Sequence, residues 1–375
     1  MKQFWQKLRL KPGFTSVLAS LASIGIGLIA GLILLLFFDA YNAPYGFSQI
    51  LFTGLTSIEK AAKVLYQTAP LILTGLSVGF AFKTGLFNIG ATGQYLIGSF
   101  FALYSAMIFK FPWWAALLAA VLGGALWGFW PGLFKSLFNV NEVITSIMFN
   151  WIGLFLMNLL LANIPPMLNN YYGGTNAERT ANLAAANPTA IIPTWGLDRL
   201  FGSPFMNISI FLAILMALLI HVILNKTTFG FELKACGYNR NASIYAGINA
   251  KRNIVLSMTI AGALSGFGGG LYYLSGTAQY TLEKVLPAMG FNGIPVALLA
   301  TSHPIGIIFS GLFVSYIQVG GDAMQPEFVT EIIDIIVSVI IYLSAFSLLF
   351  KGYIAKWLSR KSKARLAAAD KEANS

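Results

Sequence analysis

Long uncharged apolar stretches alternate along the chain with short polar segments that are often basic. A helix needs roughly 20 apolar residues to cross the hydrocarbon core of a bilayer, and each of the following stretches is predicted to be one such helix. They run from Thr15 to Phe38, Val64 to Phe82, Thr84 to Phe109, Phe111 to Phe134, Val143 to Ile164, Phe205 to Leu224, Ile254 to Leu274 and Ile332 to Phe350.

A further apolar region, from Val285 to Val319, is interrupted by glycine and proline, which break helices. The sequence Ser302-His303-Pro304 marks a turn within it, so we predict two short crossings here. The fold class that follows is all-α: a polytopic membrane protein with about ten transmembrane helices.

The composition agrees with this pattern, because 57% of the residues are hydrophobic and only 10% are charged. Soluble domains carry about 25% charged residues, so a water-soluble globular protein is excluded. The net charge of +11 is unevenly distributed: the side that holds both termini carries +14 and the other side −3. By the positive-inside rule both termini are cytoplasmic, and the surplus indicates topology rather than nucleic-acid binding.

The loops define the predicted domain organisation. Residues 1–14 form a cytoplasmic N-terminus, 15–350 the transmembrane domain and 351–375 a basic cytoplasmic tail. The first apolar run is 24 residues long, well beyond the roughly 7–15 residues of a signal-peptide core, so we predict a retained helix. Two long loops stand out, one outside at 165–204 and one inside at 225–252.

Several kinds of chemical site are missing from the sequence. There is no Gly-Lys dipeptide, hence no phosphate-binding G-x-x-x-x-G-K-[ST] loop, and no H-E-x-x-H zinc motif. One cysteine, Cys236, excludes an intramolecular disulfide. His221 and His303 have no carboxylate close in sequence, so we expect a structural or interfacial role for both and no metal site.

Small residues recur at helical spacing inside two spans. Gly262, Gly266 and Gly270 lie four residues apart, as do Gly27 and Gly31. This spacing lets membrane helices pack backbone to backbone. We favour that interpretation over a dinucleotide-binding loop because the glycines lie within apolar runs.

Two glycine-rich segments keep asparagine inside apolar regions. Gly85 to Gln94 opens the third span, and Gly290 to Pro295 lies two hundred residues later. The predicted topology has them entering from opposite sides, which is typical of interrupted helices in an inverted repeat around a transport pathway. Coincidence, with Asn88 and Asn292 capping broken helix ends, is the alternative.

The inner loop from Asn225 to Arg252 carries a second candidate surface. Small apolar and polar residues alternate over Asn241–Gly247, which predicts a short surface helix, and Gly237 and Gly247 are suitable end signals. Such a helix is suited to docking on another protein, although the composition alone fits an ordinary connecting loop equally well.

Several spaced motifs resemble the permease subunits of ABC importers for branched-chain amino acids and simple sugars. The inner loop reads F-E-L-K-A-C-G-Y-N-R-N-A-S-I-Y-A-G-I from Phe231 to Ile248. Three motifs are similar to the bacterial nucleoside-uptake branch of that family: G-L-F-N-I-G-A-T-G-Q from Gly85, N-E-V-I-T-S-I-M from Asn141 and G-F-N-G-I-P-V-A-L-L from Gly290. The resemblance extends from about Val64 to Phe350.

The resemblance implies a permease with an inverted-repeat core in the bacterial cytoplasmic membrane. It would pair with a second permease, as a heterodimer, and receive solute from an extracellular substrate-binding lipoprotein. ATP and Mg²⁺ would be bound by a separate ABC ATPase with two cassettes, so this chain would carry no cofactor. The residues placed in the ATPase groove are Glu232, Lys234, Gly237, Asn239, Ala242 and Gly247.

On this resemblance the expected function is nucleoside import by alternating access. A nucleoside offers an aromatic base and a hydroxyl-rich sugar, which suit stacking and amide contacts. The expected pathway residues are Phe87, Asn88, Gln94, Asn150 and Asn292. The outer loop, with Tyr171, Tyr172, Trp195 and Asp198, is the expected landing surface for the binding protein.

Other functions remain open on the residues alone. An ion-coupled secondary transporter of a small polar solute would use Glu331 or Asp334, which begin the last span, for coupling. An ABC permease for a sugar or a vitamin would share the motifs above, and a membrane scaffold would share only the hydrophobicity.

Overall fold

The computed structural model describes residues 12–346, with side chains from Ser20 onward. Within that range the chain is helical, and its β-structure is confined to two isolated bridges between loop residues. The all-α fold class is confirmed. The predicted tail at 351–375, and most of the predicted N-terminal segment at 1–14, lie outside the described residues.

The helices used below are numbered in chain order. They are α1 (Pro12–Phe38), α2 (Ala43–Thr56), α3 (Ile58–Lys83), α4 (Ala91–Met107), α5 (Trp113–Phe138), α6 (Glu142–Ala162), α7 (Ser209–Lys226), α8 (Thr228–Tyr238), α9 (Arg240–Tyr245), α10 (Ala250–Tyr273), α11 (Ala288–Phe291), α12 (Gly293–Leu299), α13 (Pro304–Asp322) and α14 (Thr330–Ala345).

Seven helices in the described range are long and apolar enough to cross a membrane, namely α1, α3, α5, α6, α7, α10 and α13. Within the same range α4 has 17 residues and α14 has 16. This pattern confirms a polytopic membrane protein. The prediction of two short crossings over 285–319 is wrong for the second of them, because α13 reaches a full 19 residues.

Helix boundaries follow local signals, some of which the sequence analysis missed. The turn at Ser302 is confirmed: Thr301 and Ser302 have left-handed backbones, and α13 begins at Pro304, since proline suits the first turn of a helix. By contrast α2 was not predicted. It buries Ala43 and Ile50 completely, seven residues apart on one face.

Contacts divide the described chain into two units, residues 12–51 with 321–346 and residues 52–320. In the first unit α1 packs closely on α14. A Cβ atom at Gly27 would lie 2.6 Å from the carbonyl oxygen of Ile340, so only glycine allows this approach. The predicted role of the Gly27 and Gly31 spacing in helix packing is confirmed.

The larger unit is built around the contact between α5 and α10. A Cβ atom at Gly266 would lie 2.7 Å from the Cα atom of Gly124, and one at Gly262 would lie 2.9 Å from that of Gly128. Four glycines therefore bring two backbones together, as the spacing on α10 predicts. This close crossing holds the helices that carry the polar groups described below.

One end of the larger unit gathers seven of its 13 basic residues. Lys83 donates to the carbonyl oxygen of Thr301 at 3.5 Å, and Ser136 donates to that of Lys251 at 3.0 Å. These contacts bring the ends of α3, α5, α10 and α12 to the same side, here called the basic end. This grouping matches the charge sorting above. The basic residues at this end are Lys83, Lys135, Lys226, Lys234, Arg240, Lys251 and Arg252.

Candidate functional site

A pair of amide side chains lies in the interior of the larger unit, where α4 begins. Asn88 and Gln94 are 0% and 1% exposed. The amide nitrogen of Asn88 donates to Gln94 Oε1 at 2.8 Å, and that of Gln94 donates back to Asn88 Oδ1 at 3.0 Å. Asn88 also donates to Ser77 Oγ at 2.9 Å. The two amides satisfy each other, which is what makes their burial tolerable in an apolar environment.

Asn150, on α6, fixes the start of α4 from the other side. Its Oδ1 accepts a hydrogen bond from the Gly93 backbone N–H at 2.8 Å, and its Nδ2 donates to the carbonyl oxygen of Ile89 at 3.0 Å. Helix ends leave backbone groups unpaired, so one buried amide here satisfies a donor and an acceptor at once. The side chain is 1% exposed.

The segment before α4 is non-helical because Gly85 adopts a positive φ of +74°, which breaks the predicted run from Thr84. Ser77, the partner of Asn88, lies six residues before the end of α3, about 9 Å along the helix axis. The amide pair therefore lies inside the helix bundle rather than at the end of α3.

The two interrupted segments meet in space, although two hundred residues separate them. A Cβ atom at Gly290 would lie 2.6 Å from the backbone nitrogen of Thr92, and one at Gly293 would lie 2.6 Å from the carbonyl carbon of Thr74. Thr74 is about 13 Å along the axis from the end of α3, in the interior of that helix. This juxtaposition is what a central pathway between interrupted helices needs.

Some buried polar atoms near this junction have no hydrogen-bond partner in the described part of the chain. They include the hydroxyl groups of Thr92 and Ser146, and the side-chain oxygen of Gln67. A Cβ atom at Gly90 would lie 3.2 Å from Ser146 Oγ, so this hydroxyl faces the start of α4. Unpaired buried hydroxyls are rare in native proteins and are candidates for contacts with a solute or water.

The remaining two expected pathway residues are less buried. Phe87 stacks on Phe82 with ring centroids 5.1 Å apart and planes at 16°. Asn292 lies between α11 and α12, and its side chain makes no capping hydrogen bond. The structure thus separates the expected set into Asn88, Gln94 and Asn150, which are buried and hydrogen-bonded, and Phe87 and Asn292, which are partly accessible. Their pathway role stays a prediction.

A cluster of tyrosine rings lies towards the opposite end of the larger unit, and the sequence analysis did not anticipate it. Tyr66 stacks on Tyr272 at 5.3 Å, and its hydroxyl donates to the Tyr272 carbonyl oxygen at 3.1 Å. Tyr273 contacts both Tyr95 and Tyr280 through its ring. The members lie on separate helices and a loop, so no local spacing reveals the cluster; only the Tyr272-Tyr273 pair hints at it.

The inner loop folds into two helices instead of one, because three successive caps divide it. Thr227 Oγ1 accepts from the Gly230 N–H at 3.0 Å, and Asn239 Oδ1 accepts from the Ala242 N–H at 3.1 Å. Asn249 caps α10 in the same way. Each cap is a polar side chain that satisfies an orphan N–H of the next helix. The loop therefore consists of the two capped helices α8 and α9 at the basic end, which are together called the arm.

The expected docking residues differ in accessibility. Glu232 accepts a hydrogen bond from Asn253 at 3.1 Å, and Gly237 faces α3, where a Cβ atom would lie 2.6 Å from the Lys83 carbonyl oxygen. Gly237 lies within α8 and is not the end signal that we predicted. Gly247, which follows α9 with φ +82°, does end it. Ala242 and Gly247 are exposed.

The surface of this arm is formed by residues that lie within the motif but outside the set of expected docking residues. Tyr238 and Tyr245 are 90% and 93% exposed, and Ile244 and Phe231 are also exposed. Large exposed aromatic side chains are enriched in protein interfaces. We call Phe231, Tyr238, Ile244 and Tyr245 the arm surface.

The outer loop is ordered and tied to the helices. Asn187 donates to the carbonyl oxygens of Ala106 and Phe111 at 2.9 and 3.0 Å. Tyr280, in the segment between α10 and α11, donates its backbone N–H to Thr180 Oγ1 at 2.9 Å. Burial, with Glu283 close by, raises the pKa of the Tyr280 hydroxyl. Of the expected landing residues, Tyr171 and Trp195 are exposed, whereas Tyr172 and Asp198 are half-buried.

The acidic residues at the start of α14, Glu331 and Asp334, are both exposed. Exposed carboxylates at the start of a membrane helix agree with side chains that face water rather than a buried coupling site. Among the described residues, groups of three or more side chains that could hold a metal ion are absent.

Comparison with known proteins gives consistent matches over most of the chain. Residues 60–345 match the family described as branched-chain amino acid transport system / permease component. No solved structure matches the chain.

Three curated relatives are among the most similar. The nucleoside ABC transporter permease protein NupB of Lactococcus lactis is 35% identical over 91% of this chain and 93% of its own. The guanosine ABC transporter permease protein NupP of Bacillus subtilis is 34% identical over 91% and 96%. The glucose ABC transporter permease protein TsgB13 of Haloferax volcanii is 31% identical over 90% and 87%.

Proposed function

Because the chain belongs to the family of permease components of branched-chain amino acid transport systems, and is a multi-pass membrane protein with an ABC permease role, we propose that it conducts nucleosides in an ATP-driven importer. Two of the relatives named above are permeases for nucleosides or guanosine. The proposed working unit adds a second permease, an ABC ATPase with two cassettes that binds ATP and Mg²⁺, and an extracellular binding lipoprotein.

The observation that carries this proposal is the continuous contact from the arm to the central amide pair. Gly237 on α8 lies against the backbone of Lys83 and Gly85, and Asn88 follows three residues later. A displacement of the arm by the ATPase is therefore transmitted through backbone contacts to the segment that opens α4. Rigid elements in contact are effective carriers of such coupling.

Alternating access follows if the ATPase binds two conformations of the arm unequally. In the present conformation Asn88 and Gln94 are hydrogen-bonded to each other and Gly290 lies against Thr92. Separation of the two interrupted segments uncovers Thr92 and its unpaired hydroxyl, and a rearrangement within the first segment would free the amides of Asn88 and Gln94 for a solute. Amide and hydroxyl groups of this kind suit the ribose and the base edges of a nucleoside, and Phe87 supplies a stacking surface.

The proposed orientation places the basic end, and with it the arm and both termini, in the cytoplasm of a bacterial cell. The ATPase then meets the arm surface, and the binding protein meets the outer loop around Tyr171 and Trp195, which are exposed at the opposite end.

The test is uptake of labelled guanosine and uridine by host cells from which the chain has been deleted, and by the same cells after its restoration. We expect uptake to be lost and then restored, with excess unlabelled nucleoside competing and excess glucose not competing. Competition by glucose alone would assign the chain to sugar transport, which the similarity to TsgB13 makes the second candidate. Uptake by the purified chain alone under an imposed ion gradient would overturn the ATP-driven proposal.

A further inference from the structure

A cavity of about 270 Å³ opens at the basic end, between α3, α7, α8 and the turn before α13. It is lined by Lys83, Asn225, Lys234, Tyr238 and His303, together with apolar residues. The proposed transport pathway does not use this cavity, and the residues that the motifs place in the ATPase groove include only Lys234 and Gly237 from its lining.

The two lysines that face the cavity are bound only to neutral acceptors. The Lys83 ammonium lies 3.5 Å from the Thr301 carbonyl oxygen, and that of Lys234 lies 3.5 Å from Asn225 Oδ1. Both distances are at the long limit for a hydrogen bond. Among residues 12–346, neither of these two lysines has a carboxylate recorded within 4.0 Å, the distance within which Lys135 and Glu142 form an ion pair.

The acidic residues of the helices around the cavity either bond to a residue outside the cavity lining or lie at the end of their helix that is far from the cavity. Glu232, the acidic residue of α8, accepts its hydrogen bond from Asn253 on α10. In α3 the acidic residue is Glu59, in the first turn, some 24 residues from Lys83. The cavity therefore concentrates positive charge that the acidic residues within 12–346 do not pair with.

Two imidazole rings add to this environment. His303 lies on the cavity wall, and its ring centroid is 5.3 Å from that of His221 on α7. Burial, followed by the proximity of His221 and Lys83, lowers the pKa of His303 below its ordinary value. A proton on this ring is disfavoured while the cavity holds no anion, which is the expected response to a positive field.

We propose that this cavity binds a phosphate group, with Lys83 and Lys234 as its charge-assisted donors and His303 and Asn225 as further polar contacts. Ammonium groups bind phosphate oxygens strongly when water is partly excluded. The cavity lies where α3 and α7 end, at the level of lipid headgroups, and basic pockets between membrane helices at the cytoplasmic face are suited to anionic headgroups. A soluble phosphate monoester presents the same chemistry.

The location of the cavity has a consequence for the arm. Lys234 and Tyr238 belong to α8, whereas Lys83 belongs to α3. A phosphate held by both lysines joins the two helices at the point where Gly237 packs on α3. Binding would therefore stabilise the arm in the present conformation, whichever solute the protein carries.

The experiment measures ligand binding by the purified full chain in a neutral detergent, without any transport readout. One arm titrates phosphatidylglycerol against phosphatidylcholine, and the other titrates inorganic phosphate and guanosine monophosphate against guanosine. Binding is read from thermal stabilisation and from retained ligand in native mass spectrometry. We expect phosphatidylglycerol or a soluble phosphate to bind, and the counterpart without net negative charge, zwitterionic phosphatidylcholine or neutral guanosine, to bind at least roughly tenfold more weakly.

The variants identify the site. K83Q/K234Q is expected to lose about tenfold or more in affinity, whereas K83R/K234R retains binding. The matched control is K251Q/R252Q, which removes the same charge from two exposed residues at the same end. If K83Q/K234Q and the control lose equal affinity, the ligand is attracted by the overall positive charge of the basic end and not by this cavity. That result would overturn the proposal. So would a stable K83Q/K234Q protein that binds as the wild type does, which would leave the lysines as partners of helix carboxyl ends.

Failure here and failure of the proposed function are distinguishable, because the first is read from binding and the second from uptake. Retention of phosphatidylglycerol without any effect of inorganic phosphate or guanosine monophosphate identifies a lipid headgroup as the occupant. The reverse pattern identifies a soluble phosphate.

Discussion

The junction of the two interrupted segments and the arm at the basic end both contain asparagine side chains that make hydrogen bonds, but these side chains serve different purposes in the two regions. At the junction of the two interrupted segments Asn88, Gln94 and Asn150 are buried and hydrogen-bonded through both their amide nitrogen and their amide oxygen. On the arm the side chain of Asn239 caps the start of α9. Tyr238, just before this cap, and Tyr245, at the end of α9, are almost completely exposed. At the junction the polar groups themselves form the candidate site. On the arm they cap helices, and the exposed side chains of the arm surface form the candidate site instead.

This difference changes how a motif should be interpreted. Residues that the motifs mark in either region are mostly those that fix backbone geometry, because such positions tolerate few side chains. Gly237 leaves no room for a Cβ atom, and Asn150 satisfies two backbone groups. The arm surface, by contrast, needs only large exposed apolar side chains, which many residues supply. Mutations should therefore affect stability at the junction and partner binding on the arm.

The largest effect is expected from Asn150→Leu. The substitution leaves the Gly93 N–H and the Ile89 carbonyl oxygen without partners in a buried site, and each unpaired group costs about 1–3 kcal/mol. We expect a loss of about 2–5 kcal/mol in the free energy of unfolding and loss of uptake, measured by denaturation of the purified protein and by transport in cells.

The matched control lies on the same helix. Asn158 donates to the Glu283 carbonyl oxygen and accepts from the Tyr280 hydroxyl, but it is only partly buried. Because water can replace these bonds, Asn158→Leu should cost clearly less than Asn150→Leu. Equal costs would show that Asn150 is not the specific support for α4.

The second prediction asks whether the central amides only hold the fold or also contact the solute. Gln94→Leu removes the partner of Asn88 and should destabilise by about 1–3 kcal/mol, whereas N88L/Q94L replaces both partners and should recover part of that stability. If the amides contact the solute, the double variant transports no better than the single one despite its recovery. Recovered transport would limit the pair to a structural role. Unfolding and uptake are measured on the same samples.

Much of this architecture could be predicted from the sequence, and the limits are physical. Apolar length indicated most of the spans, and the spacing of Gly262 and Gly266 indicated close packing, because both depend on local pattern. The helix α2 was missed because its apolar face is short. The pairing of Asn88 with Gln94, and of Gly290 with Thr92, depends on contacts between distant segments. No local pattern reports such contacts.

The third prediction addresses the arm surface. Y238A/Y245A removes two exposed rings, so the free energy of unfolding should change by less than about 0.5 kcal/mol. Affinity for the ATPase should nevertheless fall about tenfold or more, since exposed aromatic residues are frequent hot spots of interfaces. Binding is measured by titration of the purified ATPase against the purified permease. The control is Tyr41→Ala, which removes a ring that is 91% exposed elsewhere; an equal loss there would contradict a specific role of the arm.

The smallest effect concerns the joint that ends α9. Gly247 has φ +82° with no atom near enough to meet a Cβ, so Gly247→Ala introduces backbone strain without a clash, at a cost of about 1–2 kcal/mol. Gly173 has the same conformation, φ +81°, and equally open surroundings in the outer loop. Gly173→Ala should therefore cost the same in unfolding. Only Gly247→Ala should also weaken ATPase binding, by a fewfold, because it alone changes the direction in which α9 presents Tyr245. If both variants weaken that binding equally, the effect is global strain, and the orientation of the arm is not what the ATPase recognises.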